Sequence, residues 1–139
     1  MRSVLPPARI AATIGAVLAV SLFIAVPTSL ARDGKDDRPA VQVAGTCSGS
    51  AKAKLRLRAD SGEIEVEFEI EHARAGVRWR VALVHERRVA WKGTARTTQD
   101  GALATNKTIP DLPGYDTVTA SAWGPQGLAC RATATLTGS

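Results

Sequence analysis

Between Lys52 and Glu71 the chain reads KAKLRLRADSGEIEVEFEIE, with cations on four alternate positions, a polar turn, and glutamate on five alternate positions. A period of two belongs to a strand, in which successive side chains point to opposite faces. Ala51, Ala53, Leu55 and Leu57 therefore face one way and Lys52, Lys54, Arg56 and Arg58 the other. After Asp60-Ser61-Gly62, Ile64, Val66, Phe68 and Ile70 face inward and Glu63 to Glu71 on odd numbers face out. Only a connection with an even number of residues keeps both apolar sets on one face. A two-residue Ser61-Gly62 turn, or a four-residue loop from Asp60 to Glu63, sets Arg58 against Glu65, Arg56 against Glu67, Lys54 against Glu69 and Lys52 against Glu71. Exposed cross-strand ion pairs are each worth about 0.2–1 kcal/mol. The ladder thus selects a register and discourages edge-to-edge aggregation more than it stabilises the fold.

The start of the chain has a different character. Arg2 and Arg9 precede an uncharged apolar run from Ile10 to Val26, and Pro27 is followed by Ser29-Leu30-Ala31. This is the pattern of a secretory signal peptide over residues 1–31, and no stable membrane insertion is expected after its removal. A flexible charged leader at 32–44, in which ordered structure begins near Val41, then gives way to a β-sandwich domain at 45–139. From Arg32 onward lie 16 of the 18 basic residues and all 13 acidic ones, a net charge of +3. Such a small net charge, with both signs interspersed, argues against a nucleic-acid partner.

Cys47 and Cys130 are the two cysteines, and an even count in an exported chain predicts a disulfide. The bridge would close a long loop worth roughly 4 kcal/mol of unfolded-state entropy. Without CxxC spacing, and with only His72 and His85 as histidines, no metal site is expected. Both histidines fall near turns and are read as solvent-facing. No cofactor is expected.

Alternation continues through Gly76–Val84 and Arg88–Arg96, where Val77, Trp79, Val81 and Leu83 face Val89 and Trp91. Here the parity demands a connection of odd length, met by a three-residue His85–Arg87 loop that sets Arg80 opposite Lys92. Further strands are predicted at Gly101–Ile109, Tyr115–Trp123 and Leu128–Leu136, giving about seven in all. That count and spacing predict an all-β, antiparallel two-sheet sandwich of immunoglobulin-like kind.

Two arrangements of the basic residues follow. If the glutamate strand lies beside Gly76–Val84, Glu69 and Glu67 face Arg78 and Arg80, and the charges are satisfied; a face satisfied in this way, or merely solvated, is the expectation. If the chain instead crosses to a second sheet at the His72–Ala75 loop, Arg78, Arg80, Lys92 and Arg96, with Arg88, become a candidate anion-binding patch. Trp79 and Trp91 have core parity. Trp123 shares parity with Thr119 and Ser121 and is the candidate exposed recognition residue, with capping one end of the core as the alternative. Three tryptophans and one tyrosine are few for a carbohydrate-binding face, which usually needs several aromatic platforms.

No catalytic residue is assigned: no serine stands in a G-x-S-x-G context, no glycine-rich phosphate loop is present, and the acids form an outward ladder. The order CSGS, KLRL, GEIEVEFEI, GVRWRVALVH, RVAWKG and CRATATL, from Cys47 to Leu136, resembles small secreted proteins of actinobacteria, a group of uncharacterised open reading frames. The resemblance implies an exported, disulfide-bonded β-sandwich in a high-GC Gram-positive organism, and it brings no activity or site residues. The functional expectation is a non-catalytic binding module, secreted or held at the cell wall, meeting an anionic envelope polymer or another secreted protein. An inhibitor or assembly partner of another protein, or a small-ligand carrier, is the alternative.

Overall fold

The computed structural model describes residues 38–137; the signal peptide read at 1–31 and the first part of the leader lie outside the described residues. Nine strands follow in order: β1 (Ala40–Ala44), β2 (Thr46–Cys47), β3 (Lys52–Asp60), β4 (Glu63–Glu71), β5 (Arg78–His85), β6 (Arg88–Arg96), β7 (Leu103–Pro110), β8 (Tyr115–Trp123) and β9 (Ala129–Thr137). They form two antiparallel sheets, β1-β3-β4-β7 (sheet A) and β2-β9-β8-β5-β6 (sheet B). The seven long strands are those expected from the alternation. The two short ones were not, and Ala40–Ala44, assigned to the leader, is a strand of the fold paired along β3.

The β3–β4 hairpin has the register that the charge pattern demands. Arg58 pairs with Glu65, Arg56 with Glu67, Lys54 with Glu69 and Lys52 with Glu71, while Leu57 meets Val66 and Leu55 meets Phe68. Ser61 and Gly62 both take positive φ, 55° and 83°, as a two-residue turn matched to strand twist requires. Ion pairs close between Arg58 and Glu65 and between Lys54 and Glu69, the latter at 2.6 Å. The Lys54 ammonium holds the Glu69 carboxyl below its ordinary value.

β5 and β6 meet differently from the expectation, and the reason is geometric. Their turn has two residues, Glu86 and Arg87, both at positive φ (46° and 69°). An even turn alone would put Trp91 on the wrong face. One extra residue in β6 restores the parity: Val84 pairs with Val89 but Leu83 pairs with Trp91, so Ala90 is bulged. The two-residue turn leaves Val89 exposed, opposite Val84, instead of inward, and the bulge then places Lys92 opposite Ala82 and Arg80 opposite Thr94. Glu86 anchors the turn to β8, its N–H donating to the Thr117 carbonyl while its Oε1 accepts from the Thr117 N–H at 2.5 Å.

Between β4 and β5 the chain crosses from sheet A to sheet B, so β4 pairs with β7 and never with β5. Buried Thr97 pins the crossing: its hydroxyl donates to the Arg74 carbonyl at 2.6 Å and accepts from the Val77 N–H at 2.9 Å. Gly101 completes the clamp, accepting from the Ala73 N–H at φ 75°, in a space where a Cβ would stand 2.0 Å from the Ala73 oxygen. On the other side of the sandwich Gly45 carries the chain from β1 in sheet A to β2 in sheet B, where a Cβ would strike the Arg131 carbonyl at 2.6 Å.

Leu55, Leu57, Ile64, Val66, Phe68 and Ile70 of sheet A fill the interior against small residues of β8 and β9, among them Ala120, Ala122, Ala132 and Ala134. Large opposite small lets the two layers interdigitate at interior density. Trp79 is buried in this core, whereas Trp91 is half-buried at the open margin beside β7, with the Lys107 ammonium 4.5 Å from its ring. That lysine points inward from an edge strand, a placement that discourages further strand pairing.

The Cys47–Cys130 disulfide joins paired positions of β2 and β9 across a sequence separation of 83. Replacing both cysteines by serine is expected to lower unfolding stability by about 4–5 kcal/mol, the loop-closure entropy returned to the unfolded chain, measured by urea titration. Thr97→Val, similar in shape but without the hydroxyl, is expected to cost about 1–3 kcal/mol in the same assay because the Val77 N–H loses its partner.

Candidate functional site

The crossing at residues 72–77 decides the fate of the charges. On sheet A the cations of β3 lie opposite the glutamates of β4. On the outer face of sheet B stand Arg78 and Arg80 of β5, Lys92 and Arg96 of β6, and Arg131 of β9, all exposed. The strand residues beside them on that face are Thr, Ser, Ala, Val, Tyr and Trp, with no carboxylate among them. None of the five cations forms an ion pair among the described residues. The expected neutralisation of Arg78 and Arg80 by Glu69 and Glu67 is therefore overturned: Glu67 pairs with Asn106 and Glu69 with Ala104 of β7.

Arg78 lies directly opposite Arg96, a like-charge pairing that disfavours the sheet locally. Arg96 offsets part of this by donating from Nη1 to the Gly76 carbonyl at 2.6 Å. Arg88 does not join the cluster. It pairs with His85 at the turn end of β6, five residues along β5 from Arg80, which is about 17 Å.

Trp123, the last residue of β8, is paired with Arg80 and is 44% exposed. Its position beside the arginine follows from the antiparallel pairing of β5 with β8, which no local pattern reveals. On one side of Trp123 lies a groove of about 460 Å³ lined by Arg80, Ala82, Lys92 and Thr94. On the other lies one of about 420 Å³ lined by Thr46, Ser48, Ser121 and Arg131. The small side chains of Ala82 and Ser121, paired with each other, leave the indole standing above the sheet between two depressions. Arg131 belongs to the site although the sequence reading left it out; its outward parity was visible, but not that β9 lies beside β8.

A second cluster lies at the opposite end of β8. Asp116 is fully buried and its Oδ1 stands 2.5 Å from Nε2 of His85, which is itself 7% exposed. The same oxygen accepts from the Leu112 N–H at 3.2 Å. The reading of His85 as a solvent-facing turn residue is thus corrected: the two-residue turn begins one position later, and His85 keeps the inward parity of Val81 and Leu83. Asp116 likewise shares the parity of Val118 and Ala120. Sharing a proton with this buried carboxylate, and the like charge beside it, raise the Asp111 carboxyl above the ordinary value of 3.8. A carboxyl whose proton is held more tightly in the fold than in the unfolded chain stabilises below its unfolded value and loses that contribution as pH rises through its folded value. The pair holds no adjacent nucleophile, and no group of three or more acidic, histidine or cysteine side chains is placed to hold a metal among the described residues.

Comparison with known proteins found no match among family models, curated proteins or solved structures.

Asp111→Asn, which keeps a donor toward Asp116 at every pH, is expected to raise the melting temperature at pH 7 and to leave it unchanged near pH 3, where Asp111 is already protonated. Thermal denaturation at the two pH values checks this.

Proposed function

We propose that the protein is a non-catalytic binding module of the cell exterior that holds an anionic polymer on the outer face of sheet B. The observation that carries the reading is the sorting of charge: five cations and an exposed tryptophan share one sheet face that bears no strand carboxylate. Low-dielectric flanks and like sign concentrate the field there, so counterions of opposite charge are drawn to it even though the whole domain is nearly neutral. The Arg78–Arg96 pairing, only partly offset by the Arg96 bond to Gly76, is the kind of local cost that a folded chain retains where the residues serve binding. The disulfide and the leader read at 1–31 support an extracellular or cell-wall setting, in which acidic envelope polymers are the abundant polyanions. Among the described residues no helix is long and apolar enough to cross a membrane. The β2-β9-β8-β5-β6 order supports an immunoglobulin-like reading of this second sheet, while the consecutive β3–β4 pairing in sheet A departs from that pattern.

The test is co-sedimentation of the disulfide-bonded protein with purified Gram-positive cell walls at low and high salt. Binding is expected to fall steeply with salt, and Arg80→Glu/Lys92→Glu to weaken it about tenfold or more. Salt-independent binding, or none at low salt, overturns the reading.

A further inference from the structure

Resting on the polyanion reading, we infer that the ligand is an acidic polysaccharide lying across the strands of sheet B, with one sugar ring against Trp123 and its acidic groups at Arg80 and Lys92 on one side and Arg131 on the other. The direction comes from the pairing register. One row across the sheet runs Lys92, Ala82, Ser121, Arg131, Thr46. The next runs Thr94, Arg80, Trp123, Ala129. Cations therefore stand at both ends of a track whose middle is aromatic and small-residue floor. Lys92 and Arg131 are three strand spacings apart, about 14 Å, and Arg80 and Arg131 are about 12 Å apart across two spacings and two residues. A chain of acidic rings fits that separation, with one ring over the indole and the carboxylates of the rings on either side within reach of the long Lys and Arg side chains.

The hydroxyls of Thr46, Thr94 and Ser121 line the two grooves and make no hydrogen bond among the described residues, so they are available to the ring hydroxyls of a sugar. Other polyanions use less of this surface. Polyphosphate has no ring to place on Trp123. Single-stranded nucleic acid stacks successive bases on several aromatic platforms, whereas Trp79 is buried and Trp91 lies beneath the sheet with Lys107 over its ring. A neutral polysaccharide leaves the five cations without partners. One ring flanked by charge is the arrangement an acidic sugar satisfies.

The experiment titrates the full, disulfide-bonded chain with oligogalacturonate, its methyl ester, inorganic polyphosphate of equal charge, and oligothymidylate, read by intrinsic tryptophan fluorescence and by calorimetry. Oligogalacturonate is expected to bind tightest and to change the emission of Trp123, while its methyl ester fails to bind. Trp123→Ala is expected to weaken the uronate complex about tenfold and polyphosphate binding by less than about twofold, with Trp123→Phe restoring most of the loss. Arg131→Ala is expected to weaken uronate binding about threefold or more, as is Arg80→Ala. Equal binding of uronate and polyphosphate with no effect of Trp123→Ala overturns the sugar assignment and leaves the polyanion face intact. Tighter binding of oligothymidylate overturns it in favour of nucleic acid. Failure of all four probes sinks both readings together.

Discussion

The arrangement of charge depends on one short crossing, pinned by a buried hydroxyl and the backbone bonds around it. Thr97 donates to the Arg74 carbonyl and accepts from the Val77 N–H, and with Gly101 against Ala73 it forces the chain out of sheet A between β4 and β5. Had β5 continued beside β4, Glu67 and Glu69 would have stood against Arg80 and Arg78. Instead the second flank of β4 is given to Asn106 and Ala104 of β7, which ask nothing of its charge. The glutamates spend their field on β3, and sheet B is left basic. Polar groups buried at the crossing, each with a partner, therefore set the electrostatics of a surface that they do not touch.

How much of this could be read in advance varied with the kind of information each step needs. The β3–β4 register was legible because two independent patterns, apolar parity and opposite charge, agree on it. The β5–β6 register was half legible. Parity correctly demanded an odd count between Leu83 and Trp91, but a bulge at Ala90 meets that demand as well as a three-residue turn does, and the difference moves Lys92 from Arg80 to Ala82. The crossing itself was illegible, because Arg78 and Arg80 are equally compatible with glutamate neighbours and with solvent. Sheet order is a non-local property, and it alone brings Arg80, Trp123 and Arg131 to neighbouring strands. His85 and Asp116 were legible by parity, since both fall in step with buried residues; a chemical presumption that histidine near a turn faces water overrode the better signal.

Net charge was the most misleading global quantity. A domain with a net charge of +3 over residues 32–139 looks balanced, and a balanced domain has no strong long-range field. The balance, however, is a sum over two opposite faces separated by a core whose thickness, about 10 Å, is comparable with the screening length at physiological salt. The acids on sheet A are thus largely screened from a ligand approaching sheet B, and Glu65 and Glu69 are held by Arg58 and Lys54. What a ligand meets is the local excess on one face, which the total conceals.

The disulfide ties this face to the redox state of its surroundings. β2 contributes only two paired residues, Thr46 and Cys47, too few to hold a strand at a sheet edge by backbone hydrogen bonding alone. Both line the groove on the far side of Trp123, together with Cys130 and Arg131. The covalent bond to Cys130 fixes β2 there, and Ser48 continues the attachment by accepting from the Ala129 N–H at 2.8 Å. Without the bond the outer wall of that groove would rest on two pairings and a turn. The Arg80 side, built on the long strands β5, β6 and β8, would keep its shape. Oxidising conditions therefore complete the second half of the proposed track, so the compartment that the two cysteines point to is also the one in which the whole face is assembled.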